Sequence, residues 1–283
     1  MSTLATANNC ATSLESHRAI EVAPNKLWSN LTQICELLEI PAPPNAPENE
    51  RLFQHLRFKA GQRIHCIGQA FEALYIVNSG FLKTVHVDDF GNEQVLGFPM
   101  RGELLGIDAI HTQRYASEAM ALSDCDIIVL PYKIFTSLAR IHQELELALP
   151  RVMSREIVRE QGLISMLSGL SAEARVARFL TNLGERFQQM GYSSRCFNLR
   201  MTRQEIGSYL GLTLETVSRT LSALNELGMI TVEQRQIVLL DIAGLKNLRR
   251  LPPNKAKSKV TEKMSALVNK NLLPHWGQDL ATV

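Results

Sequence analysis

The chain has 283 residues, with 30 Lys and Arg against 28 Asp and Glu, a net charge of +2, and 45% hydrophobic and 20% charged content. That composition is ordinary for a globular protein of about two domains. It excludes a chain that meets nucleic acid through bulk basic charge, so any such partner must be met by a local patch.

The N-terminal stretch MSTLATANNCATSLESHRAIEV lacks the basic start, apolar run and small-residue cleavage site of a signal peptide, and no apolar run approaches the ~20 residues of a membrane span. Five cysteines, Cys10, Cys35, Cys66, Cys125 and Cys196, are odd in number and widely scattered. That pattern suits reduced thiols, and a cytoplasmic chain without a membrane partner is expected.

Taken in chain order, LWSNLTQICELLEI carries a short helical pattern ended by PAPPNAP, whose prolines forbid its continuation. From Phe58 to about Pro131 short apolar runs alternate with turn signals. ALYIVNSGFLKTVHVDDFGNEQVLGF predicts three strands with turns at Asn78–Gly80 and Asp88–Asn92, as in an antiparallel sandwich or barrel. Tyr132 to Ser168 reads as helical, with Met153, Ile157, Ile164 and Leu167 on one stripe continuous with Leu145 and Leu149. A helix of that length has more apolar face than a small β domain covers, so its seam is expected to pair with a second copy about a two-fold axis. Glu160 lies on the stripe and would face its own copy, where like charges weaken the dimer and make it adjustable; the alternative is that it reaches to the rim. The stretch SAEARVARFLTNLGERFQQMG predicts an amphipathic helix ending at Gly191, and CFNLRMT a short strand. The segment from Lys246 to Lys263 holds seven Lys or Arg and one acid, Glu262, and reads as a solvated extension.

Thr202-Arg203-Gln204-Glu205 is a capping box that fixes the start of a helix, with Ile206 and Leu210 on its apolar face and Gly211 at its turn. A second helix begins at Thr213, buries Val217, Leu221, Leu224 and Leu227, and stops at Gly228. Two short helices about a glycine turn form a helix-turn-helix, whose second helix enters the DNA major groove. Arg219 can donate twice to guanine, Glu215 can accept from a cytosine or adenine amino group, and Ser218 can meet a base edge or thymine methyl. Thr202, Arg203, Thr213 and Thr216 are placed for phosphates. MITVEQRQIVLL then suggests a two-stranded wing about Gln234–Arg235. A structural pair of helices with a solvated polar face is the competing reading.

The order of β domain, long helix and MTRQEIGSYLGLTLETVSRTLSALNELGMI resembles the CRP/FNR family of transcription regulators from about Phe58 to Leu240. Glu215, Ser218 and Arg219 in the pattern E-x-x-S-R are similar to the FNR branch; in the CRP branch an Arg and a Gly stand where this chain has Leu214 and Ser218. RGELLGIDAI, Arg101 to Ile110, also looks FNR-like. The resemblance implies an α+β chain: residues 1–50 an N-terminal extension, 51–135 a β-roll of cyclic-nucleotide-binding type, 136–169 a dimerisation helix region, 170–245 a winged helix-turn-helix, and 246–283 a basic extension. It implies a homodimer binding double-stranded DNA at a TTGAT-N4-ATCAA-like palindrome and an activator that recruits RNA polymerase.

The same resemblance bears on ligands. At the places where cyclic-nucleotide binders carry a Glu and an Arg-Ser pair, this chain has Ile107, Tyr115 and Ala116, so cAMP binding is not expected. A [4Fe–4S] cluster takes four thiolates. Cys35 falls at one of the ligand places of the oxygen-sensing members, whereas Lys26, Ser29 and Ile128 occupy the others. No cofactor is expected; Cys10, Cys35 and Cys125 are the candidates for an iron–sulfur cluster built another way, and His65–Cys66 for haem or a metal. A redox or gas sensor carrying such a centre is the alternative function. An enzyme finds no support in a Walker loop, G-x-S-x-G or HExxH pattern.

Overall fold

The computed structural model describes residues 27–44, 52–88 and 90–249. These described residues fall into two compact units, one of those up to 169 with 199–217, the other of 170–198 with 218–249.

In the first unit, β1 (Trp28–Ser29) leads into α1 (Leu31–Leu38). The helix starts later than LWSN suggests, because Asn30 caps it: its side chain accepts from the Gln33 amide at 2.9 Å and the Gln33 side chain returns to the Asn30 amide at 3.0 Å. Leu27 to Ser29 are instead drawn into a sheet with β2 (Phe53–Phe58), which begins five residues ahead of the first strand signal read from the sequence.

Among the described residues of this unit, nine strands make two antiparallel sheets. One runs β1-β2-β9-β4-β7, with β4 (Ala73–Ser79), β7 (Leu104–Leu105) and β9 (Cys125–Pro131); the other runs β3-β8-β5-β6, with β3 (Arg63–His65), β5 (Leu82–Val87), β6 (Glu93–Gly97) and β8 (Glu118–Ala121). Residues of both sheets, among them Phe58, Ile64, Val77, Leu82, Ala119 and Ile127, share one core. Ile128, Leu130, Leu74 and Ile76 point instead into a second core with Leu31, Ile34, Cys35 and Leu38 of α1. The apolar run Ile127–Leu130 of β9 therefore reflects burial on both faces. Gly80 turns β4 into β5 at φ +98°, where a Cβ would lie 2.5 Å from Cys125 Sγ and 2.6 Å from the Asp124 carbonyl oxygen. Between β7 and β8 lies the single turn α2 (Ala109–Thr112).

The helical stretch after Pro131 is broken into α3 (Tyr132–Ile141), α4 (Gln143–Glu146) and α5 (Ala148–Gly169), which corrects the continuous stripe expected from Tyr132 to Ser168. Pro150 explains the second break, at Leu147. It has no amide for the Glu146 carbonyl and its ring would strike it, so Pro150 is tolerated only in a first turn. Leu145 is consequently a core residue, 1% exposed, rather than part of a seam, and Leu149 packs against the same core. The C-terminal end of α1 is gripped by α5: Arg155 donates to the Leu38 carbonyl at 2.7 Å and to Glu39 at 3.0 Å.

In the second unit, α6 (Ala172–Gln189) is capped by Ser171, and Phe187 stacks on Phe197 at 5.1 Å between ring centres. β10 (Cys196–Asn198), β12 (Gln236–Leu239) and β11 (Ile230–Glu233) form a three-stranded sheet in that order. The hairpin turns at Gln234–Arg235 as expected, with Gln234 left-handed at φ +53°. The wing thus gains from β10 a third strand that the sequence did not announce as its partner. A further helix, α9 (Ile242–Asn247), is capped by Asp241 and tied to α6 by the Lys246–Glu185 ion pair.

Candidate nucleic-acid interface

Two helices carry the residues singled out from the sequence: α7 (Arg203–Leu210) and α8 (Leu214–Glu226). The capping box is present, with Thr202 Oγ1 accepting from the Glu205 amide at 3.1 Å and Glu205 Oε2 accepting from the Thr202 amide at 2.7 Å. The Thr202 hydroxyl also donates to that carboxylate at 3.0 Å. Gly211 closes α7 in the left-handed region at φ +63°, its amide reaching the Gly207 and Ser208 carbonyls. Gly207 lets the turn approach the helix: a Cβ there would lie 2.6 Å from the Leu212 carbonyl oxygen.

Thr213 caps α8, its Oγ1 accepting from the Thr216 amide at 3.2 Å and lying 3.1 Å from the Thr216 hydroxyl. Val217, Leu221 and Leu224 are 0–2% exposed, and Thr220 is buried beside them. On the opposite side Glu215, Arg219 and Ser222 are exposed and Ser218 is half-buried. Their spacings of three, four and seven residues put all four on one stripe of a 3.6-residue helix. The stripe therefore presents a carboxylate, two hydroxyls and a guanidinium on a scaffold locked from behind. Thr202, Arg203, Thr213 and Thr216 stand at the N-terminal ends of the two helices, where the positive end of the helix dipole favours an anion.

The second set lies along α5. Met153, Ile157 and Ile164 are 37%, 50% and 65% exposed, Leu167 is half-buried, and Glu160 is exposed among them. The cysteines are not brought together. Cys35 belongs to the core around α1, where burial, with Glu144 adding to it, pushes its thiol up to about 11. Cys125 lies in the other core and donates its S–H to the Phe81 and Ser123 carbonyls; burial raises its pKa as well. Thiols held protonated in separate apolar clusters are poor ligands. Cys10 and the basic stretch beyond Arg249 lie outside the described residues. Among the described residues no three of His, Cys, Asp and Glu converge as a metal-binding group, and no helix is long and apolar enough to cross a membrane.

His65 and Cys66 are both buried, and the His65 ring stacks on Tyr115 at 4.2 Å between centres. Tyr115 is 1% exposed, its hydroxyl donating to the Ala73 carbonyl at 2.7 Å. Its side chain thus fills the interior beside β4, while Ile107 is half-buried and Ala116 exposed.

One polar chain went unread in the sequence. Ser29, His55 and Asp126 line up in the donor order of a hydrolytic triad, but Ser29 is 6% exposed and bound into β1, so the chain fastens strands rather than attacking a substrate.

Comparison with known proteins agrees with this architecture. The profile of the Crp-like helix-turn-helix domain matches residues 174–248, and that of the cyclic nucleotide-binding domain matches residues 55–142. The chain is 37% identical to the fumarate and nitrate reduction regulatory protein of Vibrio cholerae, over 77% of this chain and 88% of that one. It is 38% identical to the transcriptional activator protein Anr of Pseudomonas aeruginosa, over 65% of this chain and 75% of the other. Among solved structures, FixK2 from Bradyrhizobium japonicum superposes with a TM-score of 0.64 at 26% identity, covering 71% of this chain and 99% of FixK2.

Proposed function

The chain belongs to the CRP/FNR family of transcription regulators, and from that membership we propose that it is a homodimeric activator in the cytoplasm, reading a TTGAT-N4-ATCAA-like palindrome and recruiting RNA polymerase. DNA binding through the helix-turn-helix is the family's property; the palindrome, the dimer and the polymerase contact are the proposed parts. The observation that carries the reading is the stripe of Glu215, Ser218, Arg219 and Ser222 opposite a fully buried Val217, Leu221 and Leu224. Arg219 supplies the two-pronged donor that fits guanine O6 and N7, and Glu215 the acceptor for an exocyclic amino group. Thr202, Arg203, Thr213 and Thr216 hold phosphates and set the register.

The dimer is supported by the outward stripe of Met153, Ile157, Ile164 and Leu167 on α5, an apolar seam of coiled-coil spacing. A palindrome then follows from two copies of α8 related by a two-fold axis, each meeting one half-site. Cys35 and Cys125 lie in two different apolar clusters, an arrangement that does not favour a cluster shared between them.

The test is a fluorescence-anisotropy titration of a duplex carrying the palindrome, against one with both half-sites scrambled, with the molecular mass of the complex taken by sedimentation. Specific binding two to one is the expected result. Equal affinity for both duplexes would remove the sequence assignment, and a one-to-one complex would remove the dimer.

A further inference from the structure

The first helix of the DNA-binding pair is seated on a strand of the β-roll. Among the described residues β6 ends its sheet, with no strand on one side of it, and an uncovered edge is a liability that folds usually cover. Here α7 covers it. The Val95 amide donates to Ser208 Oγ at 2.9 Å, the Gln94 side-chain amide donates to the Ser208 carbonyl, and Ser208 Oγ donates to the Glu93 carbonyl at 3.4 Å. Tyr209 meets the Phe98 ring edge to face at 5.4 Å, and the Arg200 guanidinium stands 5.8 Å from the centre of the Phe81 ring.

The charged member of the seat is Lys83 of β5. Its ammonium, with the side chain 11% exposed, lies 2.9 Å from Glu205 Oε1 and 3.8 Å from Glu93. Glu205 is the carboxylate of the capping box, so one oxygen is held by the β-roll while the other closes the start of α7 on Thr202. Burial alone would raise the Glu205 pKa, but the Thr202 amide and the Lys83 ammonium together hold it below the usual value, which keeps the carboxylate charged and able to serve both ends.

From this geometry we propose that Lys83 is a positioning residue for DNA binding: acting through Glu205, it fixes the N-terminal cap of α7 on the β5–β6 edge and so sets where Thr202 and Arg203 meet the phosphate backbone. A helix end held beforehand loses less freedom when DNA arrives, so the seat raises affinity without touching DNA. Any signal that shifts β5 or β6 then acts on DNA affinity through Lys83 and Ser208. The proposal rests on α7 and α8 being the DNA-contacting pair.

The experiment compares the full chain with Lys83→Met, Lys83→Arg, Ser208→Ala and, as a phosphate-contact reference, Arg203→Ala. Each is titrated with the palindromic duplex over a series of salt concentrations. Lys83→Met is expected to weaken binding on the order of tenfold, as for loss of a charged hydrogen bond, with the slope of log K against log salt unchanged. Ser208→Ala should act in the same direction less strongly, and Lys83→Arg should restore binding to within about twofold of the parent. Arg203→Ala should lower the slope by about 0.9 for each phosphate that it leaves without a cation. Unchanged or tighter binding in Lys83→Met overturns the proposal, and so does a slope that falls as it does for Arg203→Ala, because Lys83 would then be a phosphate ligand. Hydrogen exchange of the amides from 203 to 208, without DNA, reads the seat directly. Faster exchange in Lys83→Met with unaltered protection in β9 supports it; unchanged exchange sinks it even if the parent fails to bind the duplex, the outcome that would instead overturn the palindrome.

Discussion

The Ser29 hydroxyl and the His55 ring are joined at 2.8 Å, and on the far side of that ring Nδ1 lies 2.9 Å from the Asp126 carboxylate. The Asp126 carboxylate can only accept when ionised, so Nδ1–H donates to it. Asn78 donates to the same carboxylate at 2.7 Å, so β1, β2, β4 and β9 are pinned by one polar chain. Removing its centre should expose how much that pin contributes. Asp126→Ala leaves the His55 and Asn78 donors without their acceptor and is expected to cost about 2–3 kcal/mol, whereas Ser29→Ala, which removes one neutral bond, costs about 1 kcal/mol. Urea unfolding of both variants checks the order; equal losses would mean that the chain does not act through Asp126.

Arg219→Ala is expected to lose roughly 1–3 kcal/mol of discrimination at one base pair in each half-site, with affinity for the other base pairs little changed. Competition with duplexes substituted at single positions measures it. A variant that still discriminates at every position would take Arg219 out of the reading surface.

The dimer proposed through α5 predicts opposite outcomes for two neighbours. Ile157→Asp puts a charge on each side of an apolar contact and should weaken association by about 2 kcal/mol or more. Glu160→Ala removes a like-charge pair and should tighten it by about 1 kcal/mol. Sedimentation equilibrium across a concentration series distinguishes them. A Glu160→Ala chain that associates no more tightly would place that side chain at the rim.

His65 carries a pH dependence. Burial pushes its imidazole down to about 4, against the opposing pull of Asp108 and the hydrogen bond to the Ser117 carbonyl. Nδ1–H donates to that carbonyl at 3.1 Å, and Nε2, among the described residues, is buried without a hydrogen-bond partner. Because the folded pKa lies below the unfolded one, near 6.5, the unfolded chain binds the proton first. Stability is full above about pH 6.5 and is lost as pH falls towards 4, by up to about 3 kcal/mol. His65→Phe keeps a ring against Tyr115 and removes the titration. Its unfolding midpoint should fall less between pH 7 and pH 4.5 than that of the parent, and an identical fall would assign the acid sensitivity elsewhere.

The local elements were legible because local chemistry decides them. Thr202 and Glu205 declare a helix start three residues apart, Gly211 and Gly228 declare two stops, and the four- and three-residue spacing of Val217, Leu221 and Leu224 leaves Glu215, Ser218 and Arg219 no place but the other face. Three-residue and four-residue spacings are fixed by the helix itself, so the sequence by itself determined the candidate reading surface. The sequence also holds the reason for the break before α5, Pro150, which the apolar periodicity of Leu145 and Leu149 does not register.

What only the tertiary structure decided are pairings across long stretches of chain. His55 meets Asp126 and Ser29, Lys83 meets Glu205, Val95 meets Ser208, and Arg155 meets Leu38, each partner supplied by a different element. Nothing within a helical turn or a strand repeat of either partner announces the other, because such pairs are set by which faces the sheets and helices bury. The same burial decided the cysteines: Cys35 and Cys125 look alike in sequence, and the fold assigns them to two separate apolar cores.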